Sequence, residues 1–193
     1  MSHCSPRRRA PSWGFTLTEM MVVLAIVAIL MGLSAMALSS YLPYSNLKRA
    51  ARTIISLCQM ARSEAIKRNT RVAVVFNPSN QTCTVYTEDG PDNNWNTEQD
   101  NELFRRFSLS DLRGEITFGH GVATKNISNA TFSNSSSNLP PNNRFVFNAR
   151  GGIAGSLGTV YIQDINGNTM AITARSLSGS MIVRQWQGTQ WIP

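Results

Sequence analysis

The chain has 193 residues, 18 Lys and Arg against 11 Asp and Glu, and a formal charge of +7. That length suits one modest domain and leaves no room for a second. Two histidines and three cysteines, with no Cys-x-x-Cys or Cys/His cluster, give a zinc site or a His-based triad little to build from, so no metal, cofactor or enzymatic activity is expected.

The first fourteen residues form a short basic segment carrying Arg7, Arg8 and Arg9 and no acid. Gly14-Phe15-Thr16-Leu17-Thr18-Glu19 follows, and then an almost unbroken apolar run from Met20 to Leu38. Phe15 to Leu38 would make about 36 Å of helix at roughly 1.5 Å per residue, enough to cross a bilayer core of about 30 Å. Glu19 is the only charge in that stretch, and a carboxylate in a lipid-facing helix costs about 2.5–3.5 kcal/mol. If a protease cuts after Gly14, the new amino terminus at Phe15 is a cation. Glu19 of a neighbouring helix can then pair with it, which turns the cost into an assembly signal. The three arginines stay cytoplasmic by the positive-inside rule, which sends the rest of the chain to the periplasm or exterior. Competing readings are a secretory signal peptide ending at Ala35-Met36-Ala37, a plain membrane anchor and a buried core helix. With residues 1–14 removed the chain carries 15 Lys and Arg against 11 acids, a charge of +4, so part of the basicity belongs to the leader.

The helix is expected to continue over residues 39–69. Leu47, Ala51, Ile54, Cys58, Ala61 and Ala65 recur at spacings of three and four, the stripe of a helix laid on a sheet. Pro43 should kink or locally melt it, and Gly32 is a second weak point. Lys48, Arg49, Arg52, Arg62, Lys67, Arg68 and Arg71 are opposed here only by Glu64. Glu88, Asp89, Asp92, Glu98, Asp100 and Glu102 then follow with no base until Arg105, a polarity suited to lateral packing of subunits.

Beyond Asn69 the period becomes two, and residues 70–193 read as a β-rich head. Arg71–Phe76 and Thr82–Thr87 form a hairpin around Asn77-Pro78-Ser79-Asn80, with further strands at Leu103–Leu109, Glu115–Phe118 and Arg144–Phe147. Gly158–Gln163 and Met170–Ala174 flank Asn166-Gly167, expected as a type I′ turn, and Ser180–Trp186 closes the set. Lys125–Asn143 is a long Ser/Asn-rich loop. Asp164, Asn166 and Asn168 mimic a calcium loop, but Arg175 stands where a closing acid is needed. The fold class is α+β, a long helix on antiparallel strands.

The Gly14-Phe15…Glu19 junction resembles the processing site of type IV prepilins, and the chain is similar to the minor pseudopilin H and FimT/FimU minor pilin group. Gln59-Met60-Ala61-Arg62-Ser63-Glu64-Ala65 and the run of short carboxy-terminal strands add to the likeness. The resemblance implies cleavage after Gly14 by a membrane-embedded prepilin peptidase and methylation of the Phe15 amino group. It also implies insertion in the inner membrane and assembly with other pseudopilins or pilins into a fibre or tip complex. Two machines fit: the type II secretion pseudopilus, where the subunit primes or caps a short fibre, or a type IV pilus acting in initiation or DNA uptake. In the FimT branch a Gly-Arg-x-Arg element is associated with DNA binding. The matching place here reads Gly179-Ser180-Met181-Ile182, which leaves Arg150, Arg175 and Arg184 as a thin set of candidate nucleic-acid contacts. Cys4 lies in the leader; Cys58 and Cys83 are exported, and either pair in a disulfide or serve as two buried small hydrophobes.

Overall fold

The computed structural model describes residues 14–132 and 139–193, without the side chains of 34–40. The leader up to Trp13 and the middle of the 125–143 loop therefore lie outside the described residues. The chain divides into two compact units, Met1–Ser39 and Ser40–Pro193. One helix, α1 (Leu17–Arg68), supplies residues to both.

In the second unit α1 is the core's central element. Leu47, Ala50, Ala51, Ile54, Leu57, Cys58, Ala61 and Ala65 are all buried, so the expected stripe is present and gains Ala50 and Leu57. Four of these eight are alanines, which let the helix backbone approach a sheet closely, while Leu47, Ile54 and Leu57 each contribute about 1.5–3 kcal/mol by leaving water. The helix remains helical through Pro43, without the expected melting. Packing accounts for this: the proline is buried and the backbone of Gly114 lies against it. A Cβ at Gly114 would sit 3.0 Å from the Pro43 Cα.

Among the described residues nine strands form two antiparallel sheets. The first contains β1 (Val72–Asn77), β2 (Thr82–Tyr86), β3 (Leu103–Ser108) and β5 (Arg144–Phe147) in the order β3-β2-β1-β5. The second contains β4 (Thr117–Phe118), β6 (Thr159–Gln163), β7 (Thr169–Ala174), β8 (Met181–Gln187) and β9 (Gln190–Ile192) in the order β4-β6-β7-β8-β9. Alternation sends Val72, Val74, Phe76, Cys83, Val85, Phe145 and Phe147 of the first sheet, and Val160, Ile162, Met170 and Ile172 of the second, into one core with the helix stripe. Phe76 meets Phe145 edge-on at 5.6 Å. The architecture is the expected α+β one, a long helix packed on antiparallel strands.

Local corrections have local causes. The strand expected from Glu115 starts only at Thr117, because Glu115 sits at φ 49°, outside the extended region. The β6–β7 connection is not a type I′ turn. The strands pair out to Gln163 and Thr169, which leaves five loop residues; Gly167 donates to the Asp164 carbonyl at 2.9 Å and takes φ 78°, whereas Asn166 keeps a negative φ. The Asp164 carboxylate accepts from the backbone N–H of Asn166 and Asn168 and from the Asn168 amide, so its oxygens are committed to closing the loop. Strand β9 is an addition. Gly188, at φ 65°, opens a two-residue turn with Thr189 that brings Trp191 opposite Trp186.

Candidate processing and assembly site

In the first unit Gly14 lies just ahead of α1, and a Cβ placed on it meets nothing within 4 Å. Among the described residues no packing contact therefore requires glycine there. Thr16 precedes the first helical residue, and its backbone N–H and hydroxyl both donate to Glu19 Oε2, at 3.1 and 3.2 Å. The Glu19 N–H in turn donates to Thr16 Oγ1 at 3.2 Å. This reciprocal pair is a capping box, which satisfies two of the free donors at the helix start and places a carboxylate at the positive end of the helix dipole. The Thr-x-x-Glu spacing carries that signal in the sequence, in addition to the processing pattern. Glu19 thus has a partner within its own chain, three residues before it. Thr16 would be the second residue of a chain cut after Gly14.

The large apolar side chains on either side of this cap are exposed among the described residues. Phe15, Leu17, Met21, Val22, Leu24, Ile26, Ile29, Leu30 and Leu33 are all exposed, Phe15 at 78%. Among the described residues no helix is long and apolar enough to cross a membrane. The expected span, Phe15 to Leu38, runs into residues 34–40, whose side chains are outside the described set.

The other candidates fall on separate elements of the second unit. Cys58 on α1 and Cys83 on β2 are free thiols, both buried in the common core. Burial pushes the Cys58 thiol up to about 12. Burial, and then the neighbouring Cys58, push Cys83 well above its ordinary range. Arg150 is exposed in the turn after β5, where its N–H donates to Asn148 Oδ1 at 2.9 Å. Arg175 is exposed just past β7, and Arg184 is half-buried in the middle of β8 opposite Ala171. Arg175 lies four residues beyond Ala171, about 13 Å at roughly 3.3 Å per residue, so Arg175 and Arg184 stand apart, whereas the turns that carry Arg150 and Arg175 are neighbours, joined by the Ile153 N–H donating to the Leu177 carbonyl at 2.8 Å.

The charge polarity along the sequence is partly consumed inside the chain. Arg68 Nη1 reaches Glu102 at 3.0 Å, Arg71 reaches Asp89 at 3.1 Å and Arg106 reaches Glu98 at 2.8 Å. Arg68 also donates through Nε to Glu64 at 2.7 Å. That hydrogen bond holds the Glu64 carboxyl below its ordinary value, and hydrogen bonds from Thr87 and then Arg68 do the same for Glu102. Lys48, Arg49 and Arg52 have no carboxylate partner among the described residues; Lys48 lies over the Tyr44 ring at 4.4 Å. His120 is taken up structurally, stacked on Phe132 at 4.1 Å with its Nδ1 3.0 Å from the Ala123 carbonyl.

Two family models match this chain: the type II transport protein GspH over residues 50–181, and the prokaryotic N-terminal methylation motif over residues 14–35. No curated protein matches it. Among solved structures, the Pseudomonas aeruginosa type IV minor pilin FimU is similar at a TM-score of 0.49 and 14% identity, over 79% of this chain and 96% of that one. The minor pseudopilin EpsH from the Type 2 Secretion System of Vibrio cholerae is similar at 0.43 and 12% identity, over 72% and 95%. The two family models together take in the processing junction, the start of the apolar run and most of the head.

Proposed function

From a chain that belongs to the type II transport protein GspH family and is a minor pseudopilin of type II secretion, we propose a structural subunit that primes or caps a short fibre. In this reading prepilin peptidase cuts after Gly14 and the Phe15 amino group is methylated. The apolar half of α1 holds the subunit in the inner membrane until extraction, with the β-rich head in the periplasm. Partner pseudopilins then cover the apolar half in the fibre. The role is mechanical, and no catalytic step is assigned to any side chain.

One observation carries this reading. The methylation motif ends in a run of large apolar side chains that are exposed among the described residues, whereas the apolar stripe of α1 from Leu47 to Ala65 is buried in the core of the head. A helix with one half satisfied and the other uncovered needs an apolar environment from outside, first lipid and then neighbouring helices. Glu19 is proposed to exchange its contact with Thr16 for the amino terminus of an adjacent subunit. Both partners are hydrogen-bond donors, so the carboxylate stays satisfied throughout.

The test is an in-frame deletion in the native host, scored side by side for exoprotein secretion and for surface pili with transformation. Trapped exoproteins with intact pili are the expected result. Lost pili or transformation with normal secretion would move the subunit to a type IV pilus and make Arg150, Arg175 and Arg184 the next residues to mutate.

A further inference from the structure

On the face of the first sheet turned away from α1, the connection between β2 and β3 lays Trp95 over Ala73 and Tyr86, with Val75 and Val146 beside it. The cover is incomplete. A cleft of about 430 Å³ remains, bounded by Arg71, Asp89, Trp95, Asn142, Arg144 and Ser156. Its charges are unevenly matched. Arg71 Nη2 donates to Asp89 Oδ2 at 3.1 Å, so those two offset each other. Arg144 opens β5 opposite Val75, is half-buried, and has no side-chain hydrogen bond or ion pair among the described residues. A partly desolvated guanidinium with five donors and no acceptor is costly to hold, and fits a planar anion better than water. One rim of the cleft is backbone: at Gly155, φ 106°, an added Cβ would meet nothing within 4 Å, so the approach is open on that side.

The geometry points to a recognition site for a peptide carboxylate, an Asp or Glu side chain of a neighbouring subunit that accepts from Arg144 beside the Trp95 ring. Charge selects the class of ligand. With Arg71 and Asp89 offsetting each other, Arg144 is the unpaired cation of the cleft among the described residues, and one positive charge offsets a carboxylate fully but a phosphate dianion only by half. The neutral donors Asn142 and Ser156 complete a lining suited to a peptide group next to that carboxylate. Only the source of the carboxylate rests on the fibre-subunit reading; the recognition chemistry does not.

The experiment is a titration of the full chain in detergent, followed by the indole N–H resonances and the Arg144 Nε–H. The probes are acetyl-Ala-Asp-Ala-amide, its Asn counterpart and inorganic phosphate. The Asp peptide should shift the Arg144 signal and the indole that Trp95→Phe removes, saturably and at least about tenfold more tightly than the Asn peptide. Arg144→Gln should abolish the response while the Trp186 and Trp191 indoles keep their positions. Ser156→Trp, which fills the cleft from its rim with Arg144 intact, should abolish it as well. Equal binding of the Asn peptide, tighter binding of phosphate, no response in the wild-type chain or an undiminished response in both variants would each overturn the site. Those failures leave the secretion phenotype of the deletion untouched, so the loss of this proposal and the loss of the fibre-subunit reading are told apart.

Discussion

The two halves of α1 use the same backbone and opposite strategies. From Phe15 to Leu33 the large apolar side chains are exposed, whereas from Leu47 to Ala65 the apolar positions are buried and half of them are alanine. Large exposed side chains suit an apolar solvent that this chain does not supply. Small buried ones suit a sheet face that it does. The first half is built for an environment and the second for a partner within the chain, and only the second contributes to the folding stability of the head.

The most severe way to break this division is at the processing junction. Gly14→Ala should block maturation completely, with full-length precursor accumulating on immunoblots. Because a Cβ there is unopposed among the described residues, the block would report recognition by the peptidase and not misfolding. Normal processing would sink the assignment of the first unit. Glu19→Val should still be cleaved but should enter the fibre or tip complex poorly, as read by cross-linking to partner pseudopilins. Undiminished incorporation would count against exchange of the carboxylate between Thr16 and a neighbouring amino terminus.

A matched pair of truncations sharpens the contrast. Ile54→Ala empties a fully buried position and should cost the head about 2–5 kcal/mol, seen as a lower thermal midpoint. Ile26→Ala removes the same atoms from an exposed position and should leave that midpoint unchanged. A fall of similar size in both would mean that the two halves are not energetically separate.

A smaller effect is expected with pH. Glu64 and Glu102 have folded values below their ordinary 4.5, so the stability they contribute is fully present above 4.5 and is lost as pH falls through the lowered values. Urea midpoints taken from neutral pH down to about pH 3 should decline less steeply in Arg68→Gln than in the wild-type chain. Parallel declines would show that the Arg68 contacts do not reach the stability of the head.

The smallest expected signal is from the thiols. With Cys58 raised to about 12 and Cys83 raised well above its ordinary 9.0, both are protonated and shielded near neutral pH, and iodoacetamide should label them only after unfolding. Failure to label in denaturant without reductant would instead show a disulfide joining α1 to β2. As thiols they favour the fold below pH 9.0, and that contribution is lost as pH rises towards the folded values.

Much of this is legible in the amino-acid sequence. The processing junction is a local pattern of residue types at fixed spacing, and the buried stripe of α1 follows from helical periodicity, so both are written along the chain. The capping box of Thr16 and Glu19 and the Gly188-Thr189 turn before β9 are equally local, with spacings that announce them. Glu115 and Asn166 depart from expectation because an αL residue and a five-residue loop are selected by how neighbouring strands pair, and not by the dipeptide alone.

What only the tertiary structure decided is which distant groups meet. Pro43 stays helical because Gly114 is brought against it. The acidic block after Glu88 is not simply a free surface, since Arg68, Arg71 and Arg106 arrive from α1, from the start of β1 and from β3 to offset Glu102, Asp89 and Glu98. Arg144 is left without such a partner among the described residues, and no spacing along the chain could distinguish it from the arginines that have one. Sequence fixes periodicity and local hydrogen bonding, whereas the pairing of charges depends on chain crossings tens of residues apart, set by the burial of a shared core.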